Sequence, residues 1–113
     1  MSDNREIIEA LVKFRNERDW TQFHDTKNLA VALSIEAAEL NELFLWKDVK
    51  KSDEDVNKER LGEELADVLA YAFMLAHRHG LDVQEIMMDK IRKNEMKYPV
   101  EKAKGRATKY DKL

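Results

Sequence analysis

The chain contains no cysteine, one proline and three glycines among its 113 residues, and each shortage removes a class of protein. Without cysteine there is no disulfide framework and no thiolate metal site. So few turn-forming residues, with β-branched residues scattered rather than alternating, argue against a sheet and for an all-α fold. No apolar run approaches the ~18 residues of a membrane span, and the opening Met1-Ser2-Asp3-Asn4-Arg5-Glu6 lacks the apolar core of a signal peptide. A cytoplasmic protein with no membrane partner is expected. An excess of one charge is missing too, for 20 basic against 23 acidic side chains leave a net charge of −3. That gives no global field for binding a nucleic acid polymer or an anionic bilayer, so any phosphate must be met locally. The length suits one domain over residues 1–113, near the size at which a partner subunit helps to cover the core.

What the chain does have is helical periodicity. Asp3, with Glu6 three residues on, is placed to cap a first helix over about 4–18 whose apolar face is Ile7, Ile8, Leu11, Val12 and Phe14. The stretch Asp19 to Asn28 has no such period but holds Trp20, Phe23, His24 and Lys27, which suggests an ordered loop; on composition alone, Trp20 and Phe23 read as plugs for the end of a bundle. A second helix is expected over about 27–46 and a third over about 55–79, joined by a solvated, charged connection from Lys47 to Lys58. Gly80 stops the third, and Asp82 with Glu85 opens a fourth over about 83–97. Beyond Tyr98-Pro99 the basic tail, about 100–113, is expected to be extended and ordered by a neighbouring subunit. The protomer is thus a four-helix bundle.

The second and third helices carry the chemistry. On the second, Leu29, Leu33, Leu40 and Leu43 form an apolar stripe with Glu36 near its middle and Glu39 at its edge. On the third, Leu61, Leu65, Val68, Ala72 and Leu75 form the stripe, flanked by Glu64, Asp67 and Tyr71. A carboxylate within an apolar face is costly unless it is paired, protonated or metal-bound. Two facing i, i+3 acidic pairs would make an oxygen-only cage, suited to Mg²⁺ or Mn²⁺. No His24, His77 or His79 stands three residues after a glutamate, as a di-iron bundle requires. Read as bare spacing in a chain that is 38% charged, the same acids fit a solvated face on a non-enzymatic helical interaction module.

Both helices also bear apolar residues on the opposite side, Val31, Ile35, Ala38 and Leu45 on one and Ala66, Ala70, Phe73 and Met74 on the other. A helix apolar on both sides is buried on both, so a homo-oligomer is expected. On the fourth helix Lys90, Asn94 and Lys97 share a face, either solvated or in contact with phosphate.

Glu36-x-x-Glu39 followed by Glu64-x-x-Asp67 resembles the signature of the all-α nucleoside triphosphate pyrophosphohydrolases, the MazG-like superfamily. Glu17-Arg18-Asp19-Trp20-Thr21-Gln22-Phe23-His24, Asn28-Leu29, Glu42-Leu43-Phe44-Leu45-Trp46-Lys47 and Lys109-Tyr110 resemble its dCTP pyrophosphatase branch, across about Phe14 to Tyr110. The resemblance implies Mg²⁺ on Glu36, Glu39, Glu64 and Asp67, with catalysis by Glu39 and Glu36. It implies a nucleotide pocket of Trp20, His24, Trp46 and Tyr71, and phosphate or sugar contacts from Lys27, Asn28, Lys90, Asn94 and Lys97. It also implies a homotetramer that cleaves between the α- and β-phosphates, giving a nucleoside monophosphate and pyrophosphate. One departure is Leu11, where the eukaryotic members have a base-recognising histidine nine residues before the pocket tryptophan; the connection after Trp46 is also shorter. Related enzymes of the superfamily act on other substrates, such as dUTP or phosphoribosyl-ATP.

Overall fold

The computed structural model describes residues 3–113, and within them every regular element is helical. The chain forms two compact units, one up to Gly80 and one from Leu81 to Leu113. In the first unit α1 spans Asp3–Glu17, α2 Thr26–Glu42, α3 Val49–Glu54 and α4 Lys58–Arg78. The second holds α5, Val83–Lys97, and the short α6, Val100–Ala103. Four long helices lie close to the expected spans, while the Asp3 side chain proposed as a cap lies outside the described residues.

The helix starts follow from short polar side chains that accept the otherwise orphaned N–H groups of a first turn. Asp25 accepts from the Asn28 N–H at 2.7 Å, Asp48 from Lys51 at 2.8 Å, Asn57 from Arg60 at 3.1 Å and Asp82 from Glu85 at 2.9 Å. The end of α4 is set by Gly80, whose φ of 65° is the left-handed conformation that glycine adopts without cost.

Three expectations need correction. The second helix stops at Glu42 rather than running to Trp46. The N–H groups of Leu43, Phe44, Leu45 and Lys47 each reach a carbonyl only three residues back, and this tightening ends with Trp46 at a φ of 66°. The connection after it is not featureless, because Asp48 caps the single turn-and-a-half of α3, and α4 begins at Lys58 rather than about residue 55. The tail is not extended either. After Pro99 it turns through α6 and ends in a 3₁₀ turn over Tyr110–Lys112, where the Tyr110 ring meets Tyr98 edge-on at 6.1 Å under the Lys97 ammonium at 4.8 Å.

The core of the first unit lies where α4 packs against α2 and, less extensively, α1. Leu29, only 1% exposed, is its most enclosed side chain, joined by Met74 and Ala76. Full burial of one such leucine contributes about 1.5–3 kcal/mol. The stripe read on α2 is the face that turns inward, with Leu33, Glu36, Leu40 and Leu43 all half-buried. The inward face of α4 differs in part from its expected stripe: Leu65 is 45% exposed, as is Leu69, while Met74 belongs to the core. At one end of the unit the helices are tied by polar bonds, Arg78 Nη1 donating to the His24 carbonyl at 3.0 Å and Thr26 Oγ1 pairing with His79 Nε2 at 2.9 Å.

Candidate active site

The packing of α2 on α4 brings their acids together. Glu36 and Glu64 are half-buried and Asp67 is exposed, and one carboxylate oxygen of each falls within 4.8 Å of the others. Glu39, one turn beyond Glu36 and itself exposed, is near enough for its charge to act on both Glu36 and Glu64. The Oε2 atoms of Glu36 and Glu64 are each shut off from water without a hydrogen-bond partner, a costly condition for a charged oxygen.

The electrostatics record that cost. Glu36 is pushed up from 4.5 to about 7, first by a side-chain hydrogen bond with Glu39, then by burial, then by the charges of Glu39, Asp67 and Glu64. Glu64 is raised by burial and by Glu39 and Asp67, against an opposing pull from Arg60. Tyr71 is raised by burial first and then by Glu36, Asp67 and Glu39, which puts its hydroxyl in the field of the cluster. Like charges forced together with unpartnered oxygens are relieved by a proton or a cation. The acidic cluster could hold a metal ion, and a donor set made only of oxygens suits a hard one.

Beside the acids lies a cavity of about 240 Å³ that Asp67 shares with the cluster. Its other walls are Leu11, Phe14, Arg15, Trp20, His24, Ala70, Tyr71 and Met74. The aromatic rings form a connected series. Phe14 meets Trp20 edge-on at 5.7 Å, Trp20 lies 6.4 Å from His24, and His24 lies edge-on 6.3 Å from Tyr71. Trp20 is carried there by the 3₁₀ turn over Thr21–Phe23, which follows a reversal at Asp19 with φ of 55°. Burial and the neighbouring Arg15 charge both lower the pKa of His24, which favours its neutral ring.

Of the side chains expected at a site, Glu36, Glu64 and Asp67 are together, Glu39 lies one turn along α2 outside that group of three, and Trp20, His24 and Tyr71 are together beside them. Trp46 is not among the cavity walls, being 94% exposed in the turn after α2. Asn28 uses its amide locally, donating to the Phe23 carbonyl at 3.1 Å and to Asp25 at 3.3 Å, and Lys27 is exposed. Lys90, Asn94 and Lys97 are exposed on α5 in the second unit. The cavity residue that sequence reasoning missed is Arg15. It stands four residues after Leu11 and seven after Ile8, on the half-buried face of α1, and a cation at that register of an apolar stripe was the available signal.

The model of the MazG-like family matches residues 31–113. The chain is similar to dCTP pyrophosphatase 1 of Mus musculus, with 43% identity over 89% of this chain, and to that of Homo sapiens, with 41% identity over the same share. It spans 62% of the length of each of these mammalian proteins. The fold is similar to the crystal structure of a pyrophosphatase from Archaeoglobus fulgidus, with a TM-score of 0.82 and 38% identity, covering 88% of this chain and 94% of that one.

Proposed function

The chain belongs to the MazG-like family, and from that premise we propose that it is a Mg²⁺-dependent nucleoside triphosphate pyrophosphohydrolase. Its substrate is dCTP or a modified cytosine nucleotide, converted to the monophosphate and pyrophosphate. The observation that carries this reading is the convergence of Glu36, Glu64 and Asp67 within 4.8 Å beside an aromatic-walled cavity that Asp67 also lines. At about 240 Å³ the cavity is smaller than the ~300–1,000 Å³ typical of drug-sized ligands, a scale suited to a single-ring base. The names of the mammalian relatives and of the archaeal structure support the same chemistry.

In this reading Glu36, Glu39, Glu64 and Asp67 hold the metal, with Mn²⁺ as a substitute for Mg²⁺. When bound, the ion supplies positive charge against the phosphoryl oxygens. Trp20, His24 and Tyr71 hold the base by its faces and edges, which fixes the triphosphate over the acids. Glu39 accepts the proton of the water that attacks the α-phosphorus, with Glu36 one turn back on the same helix face contributing to the hold on the metal. Trp46 belongs to the nucleotide pocket, while Lys27, Asn28, Lys90, Asn94 and Lys97 contact phosphate or sugar; these assignments rest on the sequence resemblance.

We also propose that residues 1–113 act as one domain in a cytoplasmic homotetramer. Support for assembly comes from apolar side chains left in solvent on the outer faces, Val31 at 46% and Ile35 at 54% exposure on α2 with Leu65 and Leu69 on α4. No helix among the described residues is long and apolar enough to cross a membrane.

The test is a substrate panel of dCTP, dUTP, the other common triphosphates and phosphoribosyl-ATP, with MgCl₂ and chromatographic identification of both products. We expect pyrophosphate and dCMP from dCTP, and a loss of about 10²–10⁴-fold in kcat for Glu39→Gln. A protein that releases pyrophosphate from none of them, with or without divalent metal, is an interaction module and not this enzyme.

A further inference from the structure

Arg15 reaches the cavity from α1 and has no part in the carboxylate cluster. It is half-buried and lines the wall with Trp20 and His24. Its charge acts on His24, while the cation that acts on Glu64 is Arg60. The guanidinium shares the cavity with the rings against which a base would stack. No ion-pair partner is present for it among the described residues.

The group is nonetheless held. Nε and Nη2 donate to Asn16 Oδ1 at 3.1 and 3.0 Å, and the same oxygen accepts from Thr21 Oγ1 at 3.1 Å. This clamp ties the end of α1 to the turn that carries Trp20. A guanidinium has five N–H donors in a rigid fork and accepts nothing. The clamp uses one edge of that fork and leaves the other, a pair of parallel N–H groups on Nη1 and Nη2, unspent beside walls that, apart from Asp67, are apolar or aromatic.

Two parallel donors match two adjacent acceptors, as when arginine reads O6 and N7 of guanine. Cytosine offers such a pair in O2 and N3. Uracil and thymine instead carry a hydrogen on N3, so one N–H of the fork would face another donor. A donor left unmatched in a closed pocket is penalised more heavily than a matched one is rewarded.

We propose that the outer edge of the Arg15 guanidinium reads the adjacent O2 and N3 acceptors of a cytosine base and so sets the preference for cytosine over uracil nucleotides. This deepens the pyrophosphohydrolase reading above and rests on it. Asn16 and Thr21 act as positioning residues, holding the fork in the plane of a base stacked against Trp20.

The test compares kcat/KM for dCTP and dUTP in wild type, Arg15→Met and Arg15→Lys. The ratio of the two values within one preparation is independent of how much of that preparation is folded. Wild type should favour dCTP, and both variants should lower the dCTP/dUTP ratio by roughly 10- to 100-fold, because methionine removes the donors and lysine keeps the charge but loses the fork. An active wild type whose ratio stays within about twofold in both variants, or that prefers dUTP, overturns the assignment of Arg15 alone. Equal losses on both substrates overturn it as well and move Arg15 to a structural role. A wild type inert on every triphosphate overturns the underlying reading and the assignment with it.

Discussion

Replacing Glu36 by glutamine keeps the shape of the side chain and removes one of the four charges, so the effect on the metal-free protein measures the strain stored in the cluster. The shift from 4.5 to about 7 at Glu36, at about 1.36 kcal/mol per unit, sets a ceiling of about 3 kcal/mol. The side chain is only half-buried, and solvent screening should leave about 1 kcal/mol of it. The sign follows from linkage. A carboxyl whose folded pKa lies above its unfolded value contributes stability that is fully present below about 4.5 and is lost as pH rises through about 7. At about pH 8 with chelator, therefore, Glu36→Gln should melt as high as wild type or several degrees higher, about 4–8 °C per kcal/mol for a domain near this size. Adding Mg²⁺ should raise wild type, by the equivalent of about 2.7 kcal/mol at a hundred times Kd for one site, and leave the variant unmoved. Calorimetric scans of both proteins with chelator and with MgCl₂ read all four values. If Glu36 were instead one half of a structural ion pair, its removal would cost about 3–5 kcal/mol. A variant that melts far below wild type without metal, beside a wild type indifferent to Mg²⁺, refutes the reasoning.

Trp20→Ala should raise KM for dCTP by the equivalent of about 1–3 kcal/mol, the value of one base stacked on an aromatic ring, with a smaller effect on Tm because Trp20 is 41% exposed. Trp46→Ala should leave Tm almost unchanged, since surface substitutions stay within about 0.5 kcal/mol; an unchanged KM as well would remove Trp46 from the nucleotide pocket. Leu29→Ala should destabilise the fold by about 2–5 kcal/mol in a chemical denaturation curve, and a loss below about 1 kcal/mol would contradict its place at the centre of the core.

Much of this arrangement was legible because the physical signals were strong. Glu36 stands between Leu33 and Leu40 on a 3.6-residue period, and the inward face of α2 carries that sequence pattern unchanged. Asp82 and Glu85 announced α5, where the Asp82 cap bonds the Glu85 N–H. Other features lacked a local signature. Leu43, Phe44 and Leu45 continue an apolar helical pattern, so nothing in residue type marks the tightening that ends α2 at Glu42, with the left-handed Trp46 close behind. Leu65 and Met74 are both apolar on α4, and which one faces inward depends on the rotation of α4 against α2 and α1, a tertiary property that periodicity leaves open by a residue or so. Arg15 reads as one more solvated cation until α1 is seen to turn it into the cavity. The Phe14, Trp20, His24 and Tyr71 series joins residues more than fifty positions apart, through the reversal at Asp19, and only the packing of the helices brings them into contact.

The central claim is that the acids of α2 and α4 activate water against a triphosphate held by the adjacent cavity. Turnover of dCTP in ¹⁸O-water with MgCl₂, followed by mass spectrometry of both products, tests it most directly. The account predicts one labelled oxygen in dCMP and none in an equal amount of pyrophosphate, from attack at the α-phosphorus. Label in the pyrophosphate would place the attack at the β-phosphorus, and dCDP with orthophosphate as the primary products would contradict the account altogether.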